Sequence, residues 1–238
     1  MVDDFPLFMV AIPVSTILFL GIAGVLWRWH AGRYERRLAA FARRKGWIYS
    51  KTVFVPWGPC FDVIYGDAGR FLAEDCIRGR WADTDFVSFM LHQRDSKKDN
   101  FQKSLHVVAI ETPADLPNVY LTHGHGPGAS GLSLEWHDFN RTWKVDWCAD
   151  PRAAHAFFAP RVMERLMEAS WPTKHLRIAG HFLLTWEDEE RHLEKIQPIV
   201  EHLASIIDLV PRFLWEDNSP PSPQTLRASP PSLSLEEG

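Results

Sequence analysis

FVSFMLH (Phe86–His92), a polar tip SKKDN (Ser96–Asn100) and LHVVAIE (Leu105–Glu111) form the stretch on which the fold turns. β-Branched and aromatic residues crowd both runs, and turn-forming residues separate them, so the pattern predicts a β-hairpin. Working outward, Trp47–Tyr49, Arg70–Arg78 and Val119–Thr122 share that texture, and Gly79 is read as a tight turn or bulge. Phe139–Trp147 alternates as a strand, with Trp143, Val145 and Trp147 on one face and Lys144 and Asp146 on the other. Leu176–Ile178 and Phe182–Trp186, joined through Gly180-His181, predict a second hairpin.

Helices gather later in the chain. Asp150 before Pro151 is a cap followed by a proline at the first helical position. Pro160 ends that helix and opens another, whose apolar stripe is Val162, Met163, Leu166 and Met167. The last helix carries Leu193, Ile196, Val200, Leu203, Ile207 and Val210, and Pro198 places its regular start near Gln197. That stripe is too short for a coiled coil and reads as the core face of one packed helix. Strands first and helices later predict one mixed α+β domain, an antiparallel sheet plus helices, over 47–215. This length is ample for one core. Residues 216–238, rich in Pro and Ser, are expected to be a disordered tail.

The chain begins differently. Phe5–Trp27 contains no ionisable side chain, and its 23 residues would span roughly 34 Å as a helix, enough to cross a bilayer. Pro13 falls inside this run, where Ser15 and Thr16 can ease the kink. Ala11 and Ser15 also form a small-xxx-small pair suited to helix association. Acidic Asp3 and Asp4 ahead of the run, and bulky Val25-Leu26-Trp27 at its end, argue against a cleaved signal peptide. Residues 1–29 are therefore expected to be a single transmembrane anchor. Arg28, Arg33, Arg36, Arg37, Arg43, Arg44, Lys45 and Lys51 follow, opposed only by Glu35. Basic residues stay cytoplasmic, so the N-terminus is expected outside the cell membrane and the domain inside. Cys60, Cys76 and Cys148 are odd in number and irregularly spaced, as expected of free thiols in a reducing compartment.

The net charge is −4; with +7 on residues 28–51 and −2 at Asp3 and Asp4, residues 52–238 carry −9. An acidic body speaks against a nucleic-acid partner. The basic collar suits an anionic leaflet instead, reached through Arg28, Arg33, Arg36, Arg37, Arg43, Arg44 and Lys45. Residues 30–46 are read as a basic amphipathic juxtamembrane helix with Gly46 as its C-cap. Its narrow stripe of Tyr34, Leu38, Phe41 and Ala42 leaves two placements open, in the membrane interface or against the following domain.

Motifs for chemistry are sparse. Gly126 to Gly131 matches G-x-G-x-x-G, but Pro127 and the strand-like Leu132–Trp136 favour a loop over a pyrophosphate-binding helix start. No Gly-Lys-Ser/Thr follows, and Ser130 is not in a nucleophile elbow. His123-Gly124-His125 is the one hint of metal; a third ligand would come from His106, His137 or Asp138. Glu187–Glu190 reads as a solvated acidic turn. The eleven tryptophans are assigned to packing and to the membrane interface. No cofactor and no catalytic residue is assigned.

Phe139-Asn140-Arg141 through Val145, Asp150-Pro151-Arg152, and Pro160-Arg161-Val162-Met163-Glu164-Arg165-Leu166 carry a resemblance. The chain resembles bacterial, chiefly actinobacterial, membrane-anchored proteins classed as domains of unknown function, from Gly46-Trp47 to Pro211 and Trp215. Trp143 stands where Phe is usual, a change of core volume. The resemblance implies an N-terminal anchor and a cytoplasmic α+β domain, with no established activity. The expectation is thus a membrane-tethered interaction or scaffold module with a protein partner and no catalysis. The alternative is a membrane-tethered, metal-dependent hydrolase using His123 and His125.

Overall fold

The computed structural model describes residues 22–23, 29, 32–52, 69–95, 101–124, 128–168, 174–188 and 191–218. In chain order these form α1 (residues 32–44), β1 (Ile48–Thr52), β2 (Gly69–Trp81), β3 (Thr84–Asp95), β4 (Phe101–His123), α2 (His137–Thr142) and β5 (Trp143–Cys148). There follow α3 (Pro151–Phe157), α4 (Pro160–Met167), β6 (His175–Glu187), α5 (Leu193–Leu209) and α6 (Arg212–Asn218). The fold is α+β with an antiparallel sheet. Apart from Ile22 and Ala23, the expected span Phe5–Trp27 lies outside the described residues, as do Arg28, the tip Ser96–Asn100, Cys60, His125 and residues 219–238. Among the described residues no helix is long and apolar enough to cross a membrane.

β1, β2, β3 and β4 pair in order, each antiparallel to the next. The first half of β4 pairs with β3 (Phe86 opposite Ile110, Leu91 opposite Leu105), and its last residues pair with β5 (His123 opposite Trp143). Its other edge pairs with β6 twice, His106–Glu111 with Phe182–Glu187 and Val119–Thr122 with His175–Ile178. A fully extended β6 would hold His175 and Trp186 roughly 36 Å apart. Their rings instead stack with centroids 4.8 Å apart and planes 4° from parallel, and Thr185 Oγ1 donates to the His175 carbonyl at 2.5 Å. β6 therefore doubles back at Gly180-His181, where Gly180 adopts φ +59°. This is the hairpin read from the sequence. β4 wraps it, one half against each leg, and Gly180 N–H donates to Asn118 Oδ1 at 3.0 Å where β4 crosses the tip.

The sheet is apolar on both faces, which is why β3 and β4 read as nearly continuous apolar runs. On one face Val108, Ile110, Leu121, Trp143 and Ile178 pack with Ala42 of α1, Phe157 and Phe158 at the end of α3, Met163 of α4 and Val200 and Leu203 of α5. On the other, Cys76, Phe89, Leu105, Val107, Leu184 and Trp186 form a second cluster that contains no helical residue.

Local chemistry sets the element ends. α1 closes in a Schellman motif: Trp47 N–H donates to the Ala42 carbonyl at 2.8 Å and Gly46 N–H to Arg43 at 3.1 Å, with Gly46 at φ +72°. Trp47 then meets Phe41 edge-on at 5.8 Å and Phe86 at 4.8 Å, so α1 is fixed to the helix-covered face. This decides between the two placements of its apolar stripe: Leu38 and Ala42 are buried in the domain.

Four local expectations are corrected. Gly79 is neither turn nor bulge; it lies within β2, and an added Cβ would overlap the Trp47 indole. The bulge falls between Glu74 and Ile77, and the turn at Ala82-Asp83. Phe139 belongs to α2, and the strand begins only at Trp143, because Asn140 folds back to bond the backbone of Leu134 twice. An irregularity of register between Tyr120 and Leu121 places Trp147 opposite Tyr120, off the face of Trp143 and Val145. α5 begins at Leu193, not near Gln197, since Pro198 lies within the first turns and removes only one donor.

Candidate functional site

The face without helices opens, at one end, into a groove of about 550 Å³. Pairing register builds its floor: Ile48, Arg78 and Val87 lie side by side on β1, β2 and β3, with Ala109 opposite Val87 on β4. Glu111 and Phe182 pair at the far wall, and Arg80 and Asp85 at the near one. Ile48 is 71% exposed, a large aliphatic side chain left to water in the groove that half-buried Val87 and Phe182 also line. Arg80 grips Asp85 through two bonds of 2.9 and 2.8 Å, and that hydrogen bonding holds the Asp85 carboxyl below its usual range. Both groups are exposed, so the pair contributes little to stability and more to shape. Cys76 lies deeper on this face; burial pushes its thiol up despite Arg78 beside it, which leaves it a poor nucleophile.

A second constellation lies under α5. Ser88 Oγ and His106 Nε2 are 2.9 Å apart, and the Arg191 guanidinium donates to the Ser88 Oγ and carbonyl, both at 2.7 Å, and to the Asp75 carbonyl. Asp75, at φ +53° in the bulge, accepts from Tyr49 Oη at 2.7 Å. A serine against a histidine invites a nucleophile–base reading. Geometry opposes it: Ser88 is 0% and His106 1% exposed, and no substrate can reach them in this conformation. Burial first, then Arg191, His192 and Lys195 nearby, push His106 down to about 3, so the imidazole stays neutral near pH 7. Arg191, itself pushed down by burial, ties the start of α5 to the sheet through this relay.

Of the residues singled out for metal, His125 lies outside the described residues, and the described ones lie apart. His123 is exposed at the end of β4, its ring edge-on to Trp143 at 5.4 Å. His106 is three strand spacings away across the β6 hairpin, roughly 14 Å. His137 and Asp138 sit exposed at the start of α2, and among the described residues no three His, Cys, Asp or Glu side chains converge as a metal set. The described part of the glycine-rich stretch is structural. Gly128 lies so close to β5 that a Cβ would overlap the Val145 carbonyl, and Ser130 Oγ donates to that same carbonyl. Gly131, at φ +68°, closes a turn back to Gly128 at 3.0 Å, and no helix opens there to receive a phosphate.

Neither the groove nor the relay was found by sequence reasoning. The one available signal for the groove was Arg78-Gly79-Arg80, two cations two apart and so on one face of a strand. Ser88 lies 18 residues from His106 and 103 from Arg191, too far for any spacing rule.

The fold has a counterpart among solved structures. The crystal structure of the mycobacterial trehalose monomycolate transport factor A, TtfA, superposes with a TM-score of 0.51 at 13% identity, over 74% of this chain and 93% of that one. No family model and no curated protein matches the sequence. The chain shares an architecture with TtfA, and at this identity the likeness is one of fold.

Proposed function

We propose that this chain is a membrane-tethered interaction module that binds a protein partner and carries out no chemistry of its own. The observation that carries the reading is the groove, an open floor of Ile48, Val87 and Ala109 with Arg78 among them, walled by opposite charges, on a face to which no described helix contributes. The shared architecture with TtfA, a transport factor by name, agrees with this reading. In this reading Phe5–Trp27 crosses the cell membrane with the N-terminus outside, the domain is cytoplasmic, and the chain belongs with the actinobacterial anchored proteins it resembles. The partner lays an apolar surface along the floor from Ile48 to Phe182, over Arg78, and meets Arg80 and Glu111 at the walls. Buried apolar anchors of this kind dominate interface energies.

A photo-crosslinking residue at Ile48, in the full chain in native membranes, should yield a discrete protein adduct. Ile48→Asp should abolish co-purification of the same protein. An adduct pattern no different from one at exposed Phe213 would refute the groove. Stoichiometric zinc that is lost in the His123→Ala/His125→Ala double variant would overturn the non-catalytic reading and restore the hydrolase.

A further inference from the structure

The arginines of α1 are not scattered around it. At 100° per residue, Arg33, Arg36, Arg37, Arg43 and Arg44 fall with Ala40 inside an arc of roughly 120°, whose midline lies roughly 160° from Leu38 and Ala42. Leu38 and Ala42 are buried in the domain, and all five arginines are exposed. No acid lies in the arc: Glu35 projects from the other side, where it is paired with Lys51 of β1. The arc rises roughly 16 Å along the helix, and at its start Arg33 covers the Trp29 ring at 4.6 Å. Trp29, Arg33, Arg36 and Arg37 border one shallow basin.

We propose that this arc lies flat on the anionic phospholipid leaflet and sets the posture of the whole domain. The inference rests on the tethering reading above and adds an orientation to it. α1 packs on the helix-covered face through Trp47 and Phe86, and Lys45 Nζ donates to Gln197 Oε1 of α5 at 3.0 Å. With the arc on the headgroups, the helical layer faces the membrane, and the groove at Ile48 opens toward water. Phospholipid is favoured over nucleic acid because the arc begins six residues after the apolar run ends and an interfacial Trp stands between them, while residues 52–238 are acidic. Lipid phosphates also match the bidentate geometry of guanidinium.

The test uses the full chain reconstituted into phosphatidylcholine bilayers with or without phosphatidylglycerol, with a photo-crosslinking residue at Ala40 or at Ile48. Lipid adducts at Ala40 should rise at least fivefold with phosphatidylglycerol. They should fall back in high salt and in a variant with Arg33, Arg36, Arg37, Arg43 and Arg44 changed to Gln; Ile48 should give none. Equal adducts at Ala40 in both bilayers, or adducts at Ile48, would overturn the posture. So would an Ala40 adduct with added duplex RNA that persists in anionic bilayers. If the chain washes off the bilayers with carbonate, the tethering reading itself falls. If it stays and Ala40 gives no lipid adduct, only the posture does.

Discussion

At the residue scale, His106 couples stability to pH. Its folded value is pushed down to about 3 by burial, while an unfolded histidine titrates near 6.5. Between those values the unfolded chain holds the extra proton, so stability rises with pH and is fully present above about 6.5. Urea midpoints should fall as pH drops from neutrality toward 4, with a slope approaching about 1.4 kcal/mol per unit from this one group. The His106→Asn variant should flatten that dependence, and an unchanged slope would show that other groups carry it. Gly79 makes a steric prediction: Gly79→Ala places a methyl inside the Trp47 ring and should cost roughly 1–3 kcal/mol in thermal or urea unfolding. Neither role could be read in advance. A glycine in a β run has the same letter whether it bends the chain or makes room for an indole 32 residues earlier.

At the element scale, the ends of elements were the most legible features. Asp150 accepts from Arg152 N–H at 2.9 Å, as its place before Pro151 predicts, and Asp150→Ala should lower stability by about 1 kcal/mol. Pro160 opens α4 at its first position, and Gly46 closes α1. Caps are legible because their chemistry is contained within four or five residues. The extent of α5 was less so, because Pro198 signals a boundary and the apolar residues before it, Leu193 and Ile196, are drawn into the helix by burial. Leu203 is fully buried on α5 against the sheet, and Leu203→Ala should cost roughly 2–5 kcal/mol, measurable by calorimetry.

At the scale of the molecule, the class of fold was legible and the path of the sheet was not. Hairpins at 86–111 and 176–186 follow from local pattern, whereas the placement of the second between the two halves of β4 is a long-range event. The groove escapes sequence reading for the same reason, since its lining comes from β1, β2, β3, β4 and β6. Contact with an anionic leaflet should reflect the collar, each arginine adding about 1 kcal/mol, so that lipid crosslinking at Ala40 falls stepwise as the five arginines are changed to Gln one after another.

The wrapping of β4 around the β6 hairpin carries a consequence for assembly. Until residues 175–187 arrive, the two halves of β4 have no common neighbour, and the sheet exists as two separate pieces, β1 to β3 with the first half and β5 with the second. The last strand made is the keystone. During synthesis nothing upstream can close its core, and closing it late joins segments more than fifty residues apart, a slow step by the usual link between sequence separation and rate. A chain released at Lys174 should therefore show no cooperative unfolding transition, whereas one released after Asn218 should show a single one.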